Sequence, residues 1–364
     1  MPLPPPPLTA DRPVQAADVL PGQIADVVCV GETMAVLSPP DSRPLDEQPT
    51  LTMAIGGAES NVACGLAGLG HRVAWLSRLG DDPFARRILA ELTARGVDVT
   101  GVETDPARPT GVYFKDPAPE GTRTHYYRGG SAATLMGPEL TQLPALRRAR
   151  IVHLSGVAAA LSESCAGLLE AILVDRALNS EAGESGRSKE PGKSGETVEP
   201  GGPIVSFDVN HRPALWRSGT ADAAKNLLAL ARAADIVFVG RDEAEALWGT
   251  ARPDDVAQLL GPAPLVVVKD AEHGATSYAA GTRTFVPALP TQVVEPVGAG
   301  DAFAAGYLSA VLEHRDERSR LRLGHIAASA ALRTRADVPE MPPRMETDRW
   351  LALDDVGWSR AATA

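Results

Sequence analysis

The chain has 364 residues, enough for one large domain or two smaller ones. Apolar residues make up 44% and charged residues 22%, the balance of an ordinary soluble globular protein. A formal net charge of −11 excludes a surface built for nucleic acid or anionic membrane, since both want a basic patch; it leaves room for a local basic pocket that takes an anionic substrate.

The first 23 residues, "MPLPPPPLTADRPVQAADVLPGQ", lack a basic start and an apolar core, so they read as a Pro-rich disordered tail and not as a signal peptide. From Ile24 the pattern changes. "IADVVCVGE" reads as a buried first strand, "LTMAIGG" as another, and "AESNVACGLAGLG" as a small-residue helix. "HRVAWLSRLG" follows as strand and turn. "DPFARRILAELTARG" is a helix with Asp82 near its N-cap and Gly96 at its end. Residues 109–131, "PTGVYFKDPAPEGTRTHYYRGGS", read as two antiparallel strands around a Pro/Gly turn, a small β-sheet lid of the kind that excludes water from a reaction.

Strand and helix then alternate through "RIVHLSG", "SCAGLLEAILVDRAL", "PIVSFDVN", "AAKNLLALARAA", "DIVFVG", "DEAEALWG" and "PLVVVKD", closing with "DAFAAGYLSAVLEH" and "LRLGHIAASAALRT". Such alternation predicts an α/β fold with a mainly parallel sheet covered by helices. Residues 179–203 are Gly, Ser, Glu, Pro and Lys almost throughout, a disordered insertion. Its "GRSKEPGKS" is a decoy: five residues separate Gly186 from Gly192 where a Walker A loop needs four, and neither a buried strand nor an apolar helix flanks it. No apolar run reaches the roughly 18 residues of a spanning helix. Cys29, Cys64 and Cys165 form no CxxC pair or zinc pattern and read as inert thiols in a reducing cytosol.

Four segments can carry chemistry. In "EPVGAGDAFAAG", Gly298, Ala299 and Gly300 can turn backbone N–H groups toward one anion at a helix N-terminus, and Asp301 sits beside them as a base. The same residues also fit a plain turn with an N-capping Asp. "GGAESN" opens a helix after a strand. Its Gly-Gly step admits a polyhydroxylated ligand, and Asn61 can donate and accept; a cap alone would read the same way. Tyr126 and Arg128 share a strand face and can read a carboxylate, or form a half-exposed aromatic strand. "FDVNHRPALW" gathers polar groups where a strand leaves the sheet, the usual ligand position in open α/β sheets; Arg212 is a second candidate for an anion, and His211 fits a structural role better than a base.

Together, "GGAESNVACGLAGLG" and "EPVGAGDAFAAGYLSAVL" resemble the two signatures of the ribokinase-like, or PfkB-type, carbohydrate kinases, over most of residues 25–340. "GVYFKD", "THYYRGGSAA" and "DVNHRPALW" are most similar to 2-keto-3-deoxygluconate kinases. The resemblance implies a three-layer α/β/α domain over residues 24–345, with lid strands near 33–38, 51–57 and 109–130, followed by a C-terminal extension at 346–364. It implies ATP and Mg²⁺, a cytoplasmic enzyme, and phosphorylation of the terminal hydroxyl of a sugar acid. Asp301 would be the base, and the backbone of Gly298, Ala299 and Gly300 the anion hole. Gly57, Ala58, Glu59, Ser60 and Asn61 would hold the sugar. Tyr113, Tyr126, Tyr127, Arg128 and Arg212 would read its acid end, with Asp337 as a late contact. ATP would lie along Asn210, His211, Arg212, Lys269, Asp270, Ala271, Glu272, His273 and Gly274, with Glu243 reaching the metal through water. Family members often pair through the lid, so a homo-oligomer is an expectation too.

The chain departs from the pattern at three places: Glu295-Pro296 for Asp-Thr, Gly240 for Asn in Asn-x-x-Glu, and Ala271 for Gly. Rival readings are a kinase of a neutral sugar such as fructose or of 5-dehydro-2-deoxygluconate, and an inactive sugar-binding protein. A dehydrogenase is disfavoured because no G-x-G-x-x-G follows the first strand.

Overall fold

The computed structural model describes residues 24–41, 43–118, 121–179, 201–216, 220–262 and 264–360. The expectations for the N-terminal tail and for most of the 179–203 insertion lie outside them.

The N-terminal part runs β1 (Val27–Val30), β2 (Met34–Ser38), β3 (Thr52–Gly56), α1 (Ala58–Gly68), β4 (Val73–Leu76), β5 (Arg78–Gly80), α2 (Pro83–Ala94), β6 (Val97–Asp98), β7 (Glu103–Asp105), β8 (Val112–Ala118) and β9 (Gly121–Tyr127). There follow α3 (Pro144–Arg148), β10 (Ile151–Ser155), α4 (Gly156–Ala159), α5 (Glu163–Leu173), β11 (Ile204–Asp208), α6 (Thr220–Ala233), β12 (Ile236–Gly240), α7 (Arg241–Trp248), α8 (Pro253–Leu260) and β13 (Leu265–Asp270). The chain closes with β14 (Gly274–Ala279), β15 (Thr282–Val286), α9 (Ala299–Leu312), α10 (Glu317–Leu332), α11 (Arg344–Leu351) and α12 (Asp355–Arg360).

Among the described residues, nine strands form the main sheet in the order β15-β14-β13-β12-β11-β10-β1-β4-β6. It is parallel from β13 to β6; β14 and β15 add antiparallel pairs at one edge, two strands the sequence reading did not name. The parallel strands are buried on both faces, which is why they read as unbroken apolar runs. Alternation splits them between two cores. Val28, Val30, Leu154 and Phe207 pack with apolar residues of α5 to α8. Val27, Cys29, Trp75 and Phe238 pack with those of α1, α2, α9 and α10. The result is three layers, helices–sheet–helices.

The small-residue run of α9 has a packing reason. A side chain at Gly306 would overlap the Leu323 carbonyl of α10, and one at Gly324 would overlap the Phe303 ring, so α9 and α10 approach at backbone distance. The expected cap of α2 is present, with the Ala85 amide donating to Asp82 Oδ1 at 2.9 Å. A second sheet, β3-β2-β8-β9, stands apart from the first. Within it β8 and β9 form the expected antiparallel hairpin, and β2 pairs β3 antiparallel and β8 parallel.

Candidate active site

The carboxyl ends of the parallel strands open into a cleft of about 410 Å³, which the second sheet also lines through Met34, Gly56, Tyr113 and Tyr126. Strand order places β10 and β4 on either side of β1, a switch point where open α/β sheets leave a crevice. Residues at strand ends therefore face it: Glu32 just past β1, Asp208 ending β11, Gly240 ending β12 and Lys269 near the end of β13.

Helix α9 begins at Ala299, two residues ahead of the expected start, so Asp301 lies in its first turn. Gly298 caps it with φ +82, a left-handed conformation. A side chain there would also overlap the Asp337 carbonyl oxygen. The first intrahelical bond is Ala302 N–H to Gly298 O at 2.9 Å. The amides of Gly300 and Asp301 precede it and point out of the helix end, a ready anion site.

Asp301 Oδ2 accepts from Asn61 Nδ2 at 2.9 Å, a contact spanning 240 residues of sequence. Burial pushes the Asp301 carboxyl up to about 7, and the charge of Asp208 adds to this; the Asn61 hydrogen bond and the cations Arg212 and Lys269 oppose it. A carboxyl that loses its proton near neutrality suits general-base work. Asn61 is delivered by the first turn of α1. The Gly-Gly step before it is demanded by close approach: a side chain at Gly57 would overlap the Glu32 carbonyl, and one at Gly56 would overlap the Tyr113 hydroxyl.

Of the residues expected to hold a sugar, Gly57, Ala58 and Asn61 line the cleft, but Glu59 and Ser60 do not. Both are corrections: in the first turn of a helix only one face looks out, and these two are turned into the protein. Glu59 is fully buried and accepts from Ser155 Oγ at 2.6 Å; burial pushes its carboxyl up to about 7. Ser60 Oγ donates to the Gly57 carbonyl at 3.1 Å.

The acid-reading set also divides. Tyr113, Tyr126, Arg128 and Arg212 line the cleft. Tyr127 does not: it is 68% exposed, on the outer face of β9, edge-on to Phe114 with centroids 5.5 Å apart. Strand alternation puts it opposite Tyr126 and Arg128. Arg128 ion-pairs with Glu32, whose other oxygen accepts from Ser131 Oγ at 2.5 Å, and its guanidinium lies 5.7 Å from the Tyr126 ring centre. Glu32, missed by the sequence reading, thus claims much of Arg128. Arg212 is exposed, donates to the His211 carbonyl at 3.2 Å, and has no carboxylate ion pair among the described residues. Asp337 lines the cleft, yet its two oxygens are taken by Tyr113 Oη and Lys115 Nζ, each at 2.5 Å.

A second cavity of about 760 Å³ lies beside the first and shares Lys269, Pro296 and Gly300 with it. Ala271, Glu272 and Gly274 line it, opposite Thr291, Phe303 and His325. Ala271, where glycine was expected, takes φ +44, so the loop keeps its left-handed turn without the glycine. Asp270 instead ion-pairs with Arg241 at 2.8 Å, and the His273 side chain is 70% exposed; neither lines a cavity. Asn210, in the left-handed region at φ +40, lines the first cleft, whereas the His211 side chain lines neither.

Between the cavities, Lys269 Nζ donates to Asp208 Oδ2 at 2.7 Å. A side chain at Gly300 would come within 3.4 Å of that ammonium, so the charge sits at the α9 N-terminus. Burial alone would lower the Lys269 value, but Asp208, Glu243 and Asp301 outweigh it and raise it, so the side chain stays cationic. Asp208 was also missed, although its place at the end of a buried strand is a legible signal. Glu243 accepts from the backbone amides of His211 and, at 3.1 Å, Gly240. Among the described residues no three His, Cys, Asp or Glu side chains cluster to hold a metal directly. Magnesium commonly keeps several waters and binds mainly through phosphates, so Asp208 and Glu243 fit it through water.

The sequence matches the pfkB family of carbohydrate kinases over residues 24–177 and 198–342. It is 31% identical over 331 residues to a 2-dehydro-3-deoxygluconokinase of Thermoproteus tenax, covering 89% of this chain and 94% of that one. Among solved structures it resembles a PfkB protein from Polaromonas sp. JS666, with TM-score 0.74, 32% identity, and coverage of 89% of this chain and 99% of the other. The fold is shared with a ribokinase II from E. coli in complex with ATP and Mg²⁺, at TM-score 0.75 and 19% identity, over 90% and 98% of the two chains.

Proposed function

Because the chain belongs to the pfkB family of carbohydrate kinases, we propose that this sugar kinase transfers the γ-phosphoryl group of ATP to the terminal hydroxyl of a sugar acid, 2-keto-3-deoxygluconate, giving the 6-phosphate. The observation that carries the acid reading is Arg212, a cation at the cleft with no carboxylate ion pair among the described residues. A substrate carboxylate needs such a donor, and Tyr126 and the part-committed Arg128 stand with it in the same cleft.

In this reading the sugar lies against Gly57, Ala58 and Asn61, with its terminal hydroxyl at Asp301. Asp301 accepts the hydroxyl proton, and the negative Asp301 is steadied by Asn61. The nucleotide occupies the larger cavity and points its phosphates at the shared junction, where the amides of Gly300 and Asp301 and the Lys269 ammonium offset the charge of the moving group. Asp208 and Glu243 would hold magnesium through water, and the ion would supply positive charge against the nucleotide phosphates. The second sheet acts as a lid that keeps water from the junction. Pairing of two copies through this sheet is part of the same reading, since β9 is exposed along its whole length. The three buried, free thiols suit a reducing cytoplasm.

Glu32 favours one rival. By drawing on Arg128 it lessens the positive charge at the cleft, which suits a neutral hexose or ketose. A panel of keto-deoxy sugar acids and neutral hexoses, read by coupled ADP release, decides. The acid reading expects the highest kcat/KM for 2-keto-3-deoxygluconate; a preference for fructose would overturn it, and no turnover with any sugar would point to a binding protein.

A further inference from the structure

The family match stops at residue 342, but the chain goes on through α11 and α12. The α11 end of that segment is held by Arg315 to Asp348 at 3.0 Å and by Arg344 to Glu313 at 3.1 Å, and its far end by Trp358. Trp358 is 1% exposed, and its Nε1 donates to the Pro287 carbonyl at 2.9 Å. Its ring packs against the Arg322 guanidinium of α10, 4.8 Å from the ring centre. Arg322 in turn donates to the carbonyls of Leu351 and Leu353 and pairs with Asp355 at 3.0 Å, so it closes the turn between α11 and α12.

Pro287 stands immediately before a wall of the larger cavity. The next residues, Ala288 to Thr291, line it. The preceding carbonyl, Val286, accepts from His325 Nε2 at 3.1 Å, and His325, one helical turn beyond Arg322, lines the same cavity. Gly274, another lining residue, has φ +139, and a side chain there would overlap the Val286 carbonyl and crowd Pro287. The strip 286–291 is therefore held from one side by Gly274 and His325 and from the other by Trp358. Nothing in this chain of contacts reaches Asn61, Tyr126 or Arg212.

We infer that the C-terminal segment 344–360 is a positioning strap for the nucleotide: Trp358, through the Pro287 carbonyl, fixes the 288–291 wall and thereby sets nucleotide affinity while leaving the sugar end alone. This rests on the larger cavity being the nucleotide site. A wall held within a fraction of an ångström needs such outer support, because residues facing a ligand are placed by what packs behind them. A tryptophan that served only to fill the core would loosen both substrates alike.

The test is calorimetric binding of a non-hydrolysable ATP analogue with Mg²⁺ to the full chain, together with KM for each substrate. Trp358→Phe keeps an aromatic face and loses the donor; it should weaken analogue binding by about threefold to tenfold, the effect of one hydrogen bond. Trp358→Ala should weaken it by about tenfold or more, with KM for the sugar and kcat at saturating ATP within about twofold of wild type. Partial recovery in the Phe variant relative to Ala is the expected order. The inference is overturned if Trp358→Phe binds the analogue as wild type does, or if both KM values rise in step. Should Trp358→Ala fail to fold, the Phe variant decides alone. Wild type that binds no adenine nucleotide would instead remove the reading of the cavity, a result distinct from unaltered binding in the variants.

Discussion

Replacing Asp301 by Asn should move activity and stability in opposite directions. The substitution keeps size and shape, and the new amide oxygen can still accept from Asn61 Nδ2, now at 2.9 Å from Oδ2. What is lost is the group that takes the hydroxyl proton. A positioned base contributes about 10²–10⁴-fold, so kcat should fall by that factor, about 2.7–5.4 kcal/mol of barrier. Stability responds to the charge. The folded state raises this carboxyl from 3.8 to about 7, mainly by burial. A raised carboxyl favours the fold in its protonated form, so its contribution is lost as pH climbs from 3.8 through about 7, and the full cost of the buried charge stands above that. At 1.36 kcal/mol per pH unit that cost is at most about 4 kcal/mol. Urea unfolding at pH 8 should therefore find the Asn variant more stable than wild type, with the gap closing toward pH 4. Coupled ADP release measures the other half. Turnover within about tenfold of wild type would show that Asp301 is not the base. A stability gap that does not depend on pH would show that its charge is not held at a cost.

The remaining expectations concern neighbours of that carboxylate. Free-enzyme kcat/KM should rise with pH to a plateau, with a midpoint near 7 set by Asp301; Glu59→Gln should keep that midpoint, and its loss would transfer the titration to Glu59, which has a similar value. Arg212→Ala should raise KM for the sugar acid by about tenfold to a hundredfold with little change in stability, since the side chain is exposed. Arg128→Ala should instead lose about 3–5 kcal/mol in denaturant unfolding, because Glu32 is left buried without its cation; an equal cost from both arginine variants would refute that division. Gly298→Ala should depress kcat and stability together, because φ +82 disfavours an L side chain and the Asp337 carbonyl occupies the space; a fully active variant would dissociate the turn from the anion site.

Much of the site was legible because its parts are consecutive. Gly298 to Asp301 declares a turn, a helix end and a carboxylate in four residues, and Gly56 to Asn61 declares a tight step and a polar group in six. Unbroken apolar runs gave away the parallel sheet, since burial on both faces removes alternation. Some errors were also errors of local reasoning. Tyr127 could have been set aside from strand alternation alone, once Tyr126 and Arg128 were placed on one face. Asp208 ends a buried strand, the position where open α/β sheets turn polar groups toward a ligand crevice.

Other features had no local signal. Whether Arg128 meets a substrate or Glu32 depends on two segments almost a hundred residues apart, and Asp337 is tied to Tyr113 and Lys115 across more than two hundred. The docking of Trp358 on Pro287 is of the same kind. Backbone conformation and apolar patterning are set by neighbours in the chain, so the sequence by itself determined the layers, the sheet and the carboxylate at the head of α9. Charge pairing depends on which side chains meet in space, so only the tertiary structure decided which cations at the cleft lack a carboxylate partner among the described residues and which residues brace the wall of the larger cavity.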